Sequence, residues 1–516
     1  MKDKLVIYWS RRDFRLRDNP ALSESLKYSK EHTIPFLPVF ILEDYMYKND
    51  PLYQFGYPSR YFLMKALPLW GENFKEFLLV HGKGSKYLKY LATHFDIKIF
   101  VNEDVYPDFY TQIEKLKKEN IDITVCRDMM TIDKDTRSGT GSVYSIFTPF
   151  KNAVWQEFIE AKEYDKVNPE NIKYLDKENL KKLKNQIENK EEILWEKFSK
   201  NRKIYALGET FDIDKLIPYK PDLENWYFDE NTALKKYSKY LKENIDIYKK
   251  ERDYLDREKT SKMSLGLAWG LLSSRTLKNM ILKHYDTNFE NPYSIKHEDA
   301  THYISELIWR EFYKYLFYHY PNLMNEEFQM KFRRRIKWAD KDKSHERFLA
   351  WIKGETGYAV VDAAMIELAR TGYMHNRARM IVASVLTKNL GVDWRAGQEY
   401  FRCMLIDLDE ASNNGGWQWG ASTGADPKPI RIFNPYLQAE NYDSENIYQG
   451  KWLGKEKLAK YLTTKELKKI DEIKNNNLFE DNKDRIYPIV PHEHAREEAL
   501  KRYGLDGKKS GRPRDY

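Results

Sequence analysis

A group of side chains that could bind a charged ligand lies in the last third of the chain. Its members are two tryptophans, two carboxylates and an arginine: Trp417, Trp419, Asp407, Asp409 and Arg379. The run from Asn413 to Gly416 (NNGG) precedes the tryptophans, and because Asn and Gly tolerate positive φ it predicts a sharp turn. Burying such charges is costly unless they hold a ligand or complete an ion-pair network. The pattern favours a ligand site over the alternative that both tryptophans simply fill the core.

A second candidate site consists of hydroxyl side chains placed before an apolar helical run. Thr260, Ser261 and Ser264 stand where a helix is predicted to begin. Such side chains cap the free N–H groups of a helix, and the same N–H groups bind phosphate. From these residues alone, a plain helix cap is favoured over a phosphate site.

Each of two predicted helices places one polar and one apolar side chain on the same face. Glu306 and Trp309 are three residues apart and share one helix face, with Arg310 turned towards another. Asn376 and Met380 are four apart on a second helix. Either pair could belong to an ordinary surface. Their function depends on what the fold places beside them.

The elements that must position these residues fall into two classes. Short β-rich apolar runs alternate with amphipathic stretches in the first third of the chain. The predicted strands are Leu5–Trp9, Pro35–Ile41, Phe77–Val80, Ile97–Val101 and Ile123–Cys126. This alternation predicts an α/β domain with a parallel sheet, and without GxGxxG after its first strand it lacks a dehydrogenase-type dinucleotide fingerprint. Helical periodicity from about Thr210 to Leu390 predicts an all-α second domain.

The predicted domain boundaries follow these changes in pattern. At 516 residues the chain is long enough for two domains. We predict an α/β domain at residues 1–135, a connector at 136–205, a helical domain at 206–500 and a basic tail at 501–516. The segment from Asn168 to Lys203 is dominated by Lys, Glu and Asn, which indicates an exposed, solvated connector.

Composition excludes several classes of protein. The 41% hydrophobic and 15% aromatic contents argue against general disorder, and the net charge of +8 suits an anionic partner without identifying one. Cys126 and Cys403 are too few for a disulfide scaffold or a thiolate metal cluster, which indicates an intracellular protein. We expect it to be cytoplasmic, and nucleoid-associated if it is prokaryotic, and we expect no metal site. No run approaches the roughly 20 apolar residues of a membrane span, and the first residues lack a secretory apolar region.

Five motifs, in order along nearly the whole chain, resemble the photolyase and cryptochrome family of flavoproteins. They are RRDFRLRDNPAL from Arg11, FTPFKNA from Phe147, TSKMS from Thr260, ELIWREFY from Glu306 and the long segment from Trp351 to Pro435. Within that family the chain resembles class I cyclobutane pyrimidine dimer photolyases. The resemblance implies a Rossmann-like, five-stranded α/β domain and a larger all-α domain that binds FAD. It also implies light-dependent repair of DNA, by electron transfer from photoexcited reduced FAD to a flipped-out dimer.

The resemblance implies which residues bind FAD. They are Tyr248, Thr260, Ser261, Lys262, Met263, Ser264, Arg310, Asn376, Arg379, Asp407, Asp409 and Asn413. Residues 260–264 are expected to bind the diphosphate together with Tyr248 and Arg310. Asn413 is expected to face flavin N5, where an amide favours reduced flavin. Plant cryptochromes typically have Asp there, so Asn413 favours repair over signalling.

The resemblance further implies a pocket for the dimer and a rim that binds DNA phosphates. The pocket residues are Glu306, Trp309, Asn376, Met380 and Trp419. The phosphate-binding residues are Arg377 and Arg431, although either could be an ordinary surface charge. The residues expected to act in catalysis are Glu306, Asn376, Met380 and Asn413. The tryptophans offer flat walls for two thymines, while Glu306 and Asn376 can hydrogen-bond their edges.

The same pocket positions separate the subtypes of the family. Six-four photolyases have His where this chain has Asn376. Single-strand-specific DASH cryptochromes usually replace the residues matching Met380 and Trp419 by Gln and Tyr. Class II enzymes have a different arrangement of motifs. All three fit this sequence less well than class I.

Two further roles come from the resemblance. Trp338, Trp394 and Trp417 are expected to carry electrons from the protein surface to the flavin. A second, antenna chromophore is contacted by a lysine in folate-using relatives, where this chain has Asn325. The antenna therefore stays undetermined between a folate, a deazaflavin, another flavin and none.

Two alternative functions remain open. A cryptochrome would keep the flavin and respond to blue light without repairing DNA, but the full dimer pocket argues against it. A non-photochemical electron-transfer flavoprotein would leave the DNA-facing residues unexplained. We expect a monomer that binds DNA containing pyrimidine dimers and does not bind membranes.

Overall fold

A computed structural model of the chain describes residues 2–47, 55–105, 107–186, 202–425, 430–463, 466 and 484–505. Its first third contains five parallel strands: β1 (Lys4–Ser10), β2 (Phe36–Leu42), β3 (Leu78–His81), β4 (Asp96–Asn102) and β5 (Asp122–Cys126). Their order is β3-β2-β1-β4-β5, which reverses at β1 as in doubly wound folds. The five predicted strands and the parallel α/β domain are confirmed.

Helices pack on both faces of this sheet. They are α1 (Pro20–His32), α2 (Asp44–Tyr47), α3 (Tyr57–Gly71), α4 (Gly84–His94) and α5 (Pro107–Lys118). Successive side chains of β1 point to opposite faces, so Val6 and Tyr8 join the hydrophobic cluster that includes α1 and α3, whereas Leu5 and Ile7 join the cluster that includes α4 and α5. Because both faces are buried, the strands read as continuous apolar runs.

The segment predicted to be a solvated connector is only partly exposed. The wider connector begins with α6 (Phe147–Glu160), and the lysine-rich segment that follows contains a 3-10 turn (Pro169–Asn171) and α7 (Lys177–Gln186). Leu175 N donates to Phe36 O at 3.1 Å, and Tyr174, Leu180 and Leu183 are also buried. The predicted exposure is wrong for these four residues, because a few apolar side chains within a lysine-rich run anchor it to the sheet. Residues 187–201 of the connector lie outside the described residues.

In the described residues from 202 onwards, the regular elements are helices and one hairpin. The hairpin consists of β6 (Lys203–Ala206) and β7 (Glu209–Asp212), joined through Leu207 and Gly208, both with positive φ. The helices are α8 (Ile213–Leu216), α9 (Glu230–Glu243), α10 (Tyr248–Glu251), α11 (Ser264–Ala268), α12 (Ser274–Tyr285), α13 (Glu298–His319), α14 (Lys341–Lys353), α15 (Ala359–Thr371), α16 (Asn376–Ser384), α17 (Trp394–Met404), α18 (Glu410–Gly420), α19 (Pro435–Tyr442), α20 (Ile447–Leu453), α21 (Lys455–Leu458) and α22 (His492–Arg502). Shorter 3-10 turns lie at Ile245–Ile247, Pro321–Met324 and Met330–Phe332, and a π turn lies at Val385–Asn389.

These helices confirm the predicted helical domain, and the hairpin is an element that the sequence did not predict. Within the described ranges, each helix is too short or too polar to cross a lipid bilayer. Of the predicted basic tail, Lys501 and Arg502 belong to α22, and residues 506–516 lie outside the described residues.

A buried ion-pair network joins the two domains. Asp128, which follows β5, accepts hydrogen bonds at 2.7 Å from Arg15 of the α/β domain and from Arg275 of α12. Arg275 Nε also donates to Asp18 at 2.8 Å. The pairing balances charges that would be costly to bury alone. The network fixes the end of the sheet against the helical domain.

Candidate functional site

A cavity of about 680 Å³ opens between the helical domain and the start of α6, and its volume is typical of sites for large ligands. Most of the predicted site residues line it. They are Tyr248, Met263, Ser264, Glu306, Trp309, Arg310, Asn376, Arg379, Met380, Asp407, Asp409, Asn413, Trp417, Trp419 and Arg431. Side chains from separate sequence motifs therefore share one space.

Residues 413–416 lie inside α18, so the predicted sharp turn is wrong. Asp409 caps this helix by accepting a hydrogen bond from Ser412 N at 3.0 Å. The two glycines provide space rather than positive φ. A Cβ on Gly415 would lie 2.1 Å from Tyr313 Cδ1, whereas a Cβ on Gly416 would meet nothing within 4 Å. Gly416 leaves open a part of the cavity that a side chain would fill.

An ion pair between Arg379 and Asp407 forms part of the cavity wall. Arg379 Nη2 donates to both carboxylate oxygens of Asp407, at 3.0 and 2.8 Å, and Arg379 Nε donates to Met374 O at 2.8 Å. The Asp407 side chain has no exposed surface. The pair joins α16 to the segment before α18, and it holds a guanidinium at the cavity without leaving a buried charge unbalanced.

A second charged group lies around the cap of α18. Arg310 Nε lies 3.3 Å from Asp409 Oδ2. Burial alone would raise the pKa of Asp409, but Arg310, Lys314 and the Ser412 N–H outweigh it and hold this pKa at about 2. Burial and the nearby Arg310 lower the pKa of Lys314 to about 8. The cavity therefore has an ionised carboxylate and a guanidinium beside the start of α18.

Asn413 and Trp417 present two kinds of surface to the same space. Asn413 Nδ2 donates to Gln398 O at 3.2 Å, which leaves its Oδ1 as a hydrogen-bond acceptor. Trp417 is buried against α17, where a Cβ on Gly397 would lie 2.1 Å from its ring. Its ring contacts Trp351 edge to face, with 5.9 Å between the ring centroids. Trp351 begins the long motif of residues 351–435, but the sequence did not single it out, because tryptophans are highly buried on average and most of them simply fill a core.

Trp394 and Trp338 lie outside this cavity. Trp394 is fully buried at the start of α17. Trp338 is half-buried and lines a different cavity with Arg395 and Asn325. Asn325 O accepts a hydrogen bond from Arg395 Nε at 2.9 Å, and among the described residues none from the α/β domain lines this cavity. The electron-transfer role of the three tryptophans and the identity of an antenna stay predictions.

The predicted phosphate segment is divided between two cavities. Met263 and Ser264 line the large cavity, whereas Thr260, Ser261 and Lys262 line a neighbouring one of about 490 Å³. Lys262 has a positive φ of 53°, and Ser261 Oγ accepts a hydrogen bond from Met263 N at 3.3 Å. The backbone thus turns sharply before α11. The segment forms a wall between the two cavities.

Glu306 and Trp309 are held by partners that the sequence did not identify. Arg252 Nη1 lies 2.5 Å from Glu306 Oε1, and the Arg252 guanidinium lies 5.1 Å from the centre of the Tyr248 ring. Phe147 stacks on Trp309 with 3.6 Å between ring centroids and 9° between planes. Phe147 belongs to the FTPFKNA motif, so the motif carried a signal for it. Nothing local in the sequence indicates Arg252.

Arg377, predicted to bind a DNA phosphate, does not line the large cavity, whereas Arg431 does. It pairs with Asp253 at 2.7 Å, and its guanidinium lies 4.2 Å from the centre of the Tyr442 ring. His375 caps α16 by accepting a hydrogen bond from Arg377 N at 3.2 Å, and burial lowers the pKa of His375 to about 4. A neutral His375 is therefore suited to this cap at ordinary pH.

The end of α18 is fastened by a buried lysine, which sequence analysis also missed. Lys388, in the π turn after α16, donates to Gly420 O at 2.7 Å and to Ser422 Oγ at 3.1 Å. A cation is favourable at the C-terminal end of a helix dipole. Near this end Trp419 lines the cavity, and the Arg431 guanidinium lies 5.0 Å from the centre of its ring. Lys388 thus fixes the part of α18 that carries Trp419.

Comparison with known families shows two matches. A family model described as DNA photolyase matches residues 6–170, and one described as the FAD binding domain of DNA photolyase matches residues 303–505. The deoxyribodipyrimidine photo-lyase of Neurospora crassa is 31% identical, over 96% of this chain and 81% of that protein. The enzyme of the same name from Agrobacterium fabrum is 30% identical over 98% of both chains.

Solved structures with the same fold include photolyases and a cryptochrome. A class III photolyase from Agrobacterium tumefaciens superposes with a TM-score of 0.73 at 28% identity, over 98% of each chain. An archaeal photolyase from Sulfolobus tokodaii, solved with two FAD molecules, gives 0.73 at 25% identity, over 97% of this chain and 99% of that one. A Synechocystis cryptochrome gives 0.73 at 23% identity, a likeness of fold alone.

Proposed function

The chain belongs to the DNA photolyase family, and from this membership we propose that it repairs cyclobutane pyrimidine dimers in DNA in a light-dependent reaction. The observation that carries the proposal is the continuity of one cavity. Its wall joins residues predicted to bind FAD, such as Arg379 and Asn413, to residues predicted to bind a dimer, such as Glu306 and Trp419. Ligands bound to both groups would share one space.

The residues around the cavity fit FAD. The open space over Gly416 accommodates a flat ring, and the Arg379 guanidinium and the Asn413 carbonyl can hydrogen-bond its edge. Tyr248, Arg310 and Ser264 are available for the diphosphate. When bound, reduced FAD supplies the light-absorbing donor whose electron splits the cyclobutane ring and then returns. The Asn413 oxygen can accept a hydrogen bond from a ring N–H, which favours the reduced cofactor.

The other end of the cavity suits two stacked pyrimidines that have left the helix. Trp309, supported by Phe147, and Trp419 provide apolar surfaces for the bases. Arg252 orients the Glu306 carboxylate, which can accept a hydrogen bond from a base N–H. Asn376 offers both a donor and an acceptor to the same bases.

The class I assignment is supported by three residues in this pocket. Asn376 occupies the position where six-four photolyases have His, so the pocket lacks that proton donor. Met380 and Trp419 occupy the positions where DASH cryptochromes usually have Gln and Tyr. These three residues favour a cyclobutane dimer over a six-four photoproduct as the substrate.

The test of this proposal is lesion selectivity in the dark. Holoenzyme is titrated with three oligonucleotides that differ only in carrying a cyclobutane dimer, a six-four photoproduct or undamaged thymines. We expect the cyclobutane dimer to bind about tenfold more tightly or better than both others, because stacking of a flipped base is worth roughly 1–3 kcal/mol. Equal affinity for the three, or a preference for the six-four photoproduct, would overturn the proposal.

A further inference from the structure

An exposed basic segment lies between α13 and α14. Lys331, Arg335 and Lys337, here called the basic ridge, lie within seven residues of each other and are all exposed. Within the described ranges none of the three has a carboxylate within ion-pair distance. Their neighbour Arg333 differs, since it pairs with Glu326 at 3.1 Å. The ridge therefore carries positive charge that the described part of the protein does not neutralise.

The backbone before the ridge is attached to the rim of the large cavity. Gln329 N donates to Thr423 O at 2.9 Å, and Gln329 Nε2 donates to Gly424 O at 2.7 Å. Ala425, the next residue, lines the cavity. The 3-10 turn at Met330–Phe332 then begins the ridge. The ridge starts directly beside the segment that borders the predicted dimer pocket.

An apolar contact fixes the ridge from the other side. Phe332 packs with Ile430 and Ile432 in one small hydrophobic cluster. These isoleucines flank Arg431, whose guanidinium lies over the Trp419 ring. The ridge is thus held against the residues on both sides of Arg431. Unpaired cations on a fixed surface are suited to a polyanion, because they need no rearrangement to meet it.

We propose that the basic ridge extends the DNA-binding surface beyond Arg431 and contacts phosphates outside the lesion. The inference rests on the proposed function, because a DNA strand that places a dimer in the cavity must continue past its rim. Each phosphate neutralised by a lysine or arginine releases counterions from the DNA. Contacts to the backbone position a protein and carry no sequence information. The ridge therefore adds affinity for DNA in general, without selecting the lesion.

The experiment compares holoenzyme with the triple variant K331A/R335A/K337A on duplexes with and without one dimer, over a series of salt concentrations. The variant is expected to lower the slope of log affinity against log salt by about two to three units, since each contact contributes about 0.9. The fall in this slope is expected to be equal for the duplex with a dimer and the duplex without one. FAD content and light-dependent repair at saturating DNA are expected to match the wild type.

Two controls separate the ridge from general effects of charge and folding. K115A/K117A/K118A removes three exposed lysines from the end of α5 in the α/β domain and is expected to keep the slope. K331R/R335K/K337R keeps the charges and is expected to keep the slope as well. An unchanged slope in K331A/R335A/K337A, or an equal fall in the α5 variant, would overturn the inference. Light-dependent repair by the wild type is measured in parallel, so failure of the proposed function is seen separately.

Discussion

Replacing Asp407 with alanine is expected to destabilise the helical domain by about 1–3 kcal/mol, because it leaves the guanidinium of Arg379, which is only 25% exposed, without its carboxylate partner. Asp407 has no exposed surface and accepts two hydrogen bonds from Arg379. The guanidinium is then free to rotate away from the cavity wall, so FAD retention is expected to fall as well. The measurements are the thermal unfolding midpoint and the FAD content of the purified protein.

A double variant separates stability from cofactor binding. In R379M/D407L both charges are replaced by apolar groups, and such replacements of buried pairs are often neutral for stability. Its unfolding midpoint is therefore expected to recover much of the loss, whereas its FAD content is expected to stay low. Recovery of both quantities would show that the pair serves the fold alone and does not hold the cofactor.

Trp419→Ala is expected to weaken binding of dimer-containing DNA by about 5- to 150-fold, which corresponds to roughly 1–3 kcal/mol for the loss of one stacking surface. Trp419 is half-buried and lines the cavity that also contains Glu306. Undamaged DNA does not enter the pocket, so its affinity is expected to change little. Titration of matched oligonucleotides with holoenzyme in the dark measures both.

Trp452→Ala is a matched control for this substitution. Trp452 is also half-buried, and Lys451 Nζ lies 5.3 Å from the centre of its ring, much as Arg431 lies over Trp419. Trp452 lines the neighbouring cavity instead. Trp452→Ala is expected to leave the affinities for dimer-containing and for undamaged DNA unchanged. An equal loss on damaged and undamaged DNA in Trp419→Ala would mean that Trp419 supports the fold rather than the dimer.

The α/β domain could be predicted from the sequence because its strands are buried on both faces. A run such as Leu5–Trp9 is apolar at every position, and it lies between Lys4 and Ser10, the polar residues at the two ends of β1. The helices of the second domain were predicted from their periodicity. The short hairpin β6–β7 was missed because four-residue strands give too little pattern.

Most of the residues that the sequence singled out line one cavity, but parts of the geometry of that cavity were missed. The local conformational preference of Asn and Gly at residues 413–416 predicts a turn. In the structure, the Asp409 cap and the packing of the Tyr313 ring against Gly415 favour a helix instead. Arg252 and Lys388 were missed because their partners are distant in sequence. Glu306 is 54 residues from Arg252, and Gly420 is 32 from Lys388. Such contacts are set by tertiary packing, which a local pattern does not carry.

We propose that one cavity brings a reduced flavin and a pyrimidine dimer together for light-driven repair. The direct measurement mixes chemically reduced holoenzyme with a duplex that contains one cyclobutane thymine dimer, in blue light and in darkness. Restored thymines are counted by the loss of dimer from the oligonucleotide. The account predicts restoration in light, none in darkness, and a large loss of repair in Trp419→Ala at limiting DNA. Dimer that persists in light, although FAD is bound and reduced, would contradict the account.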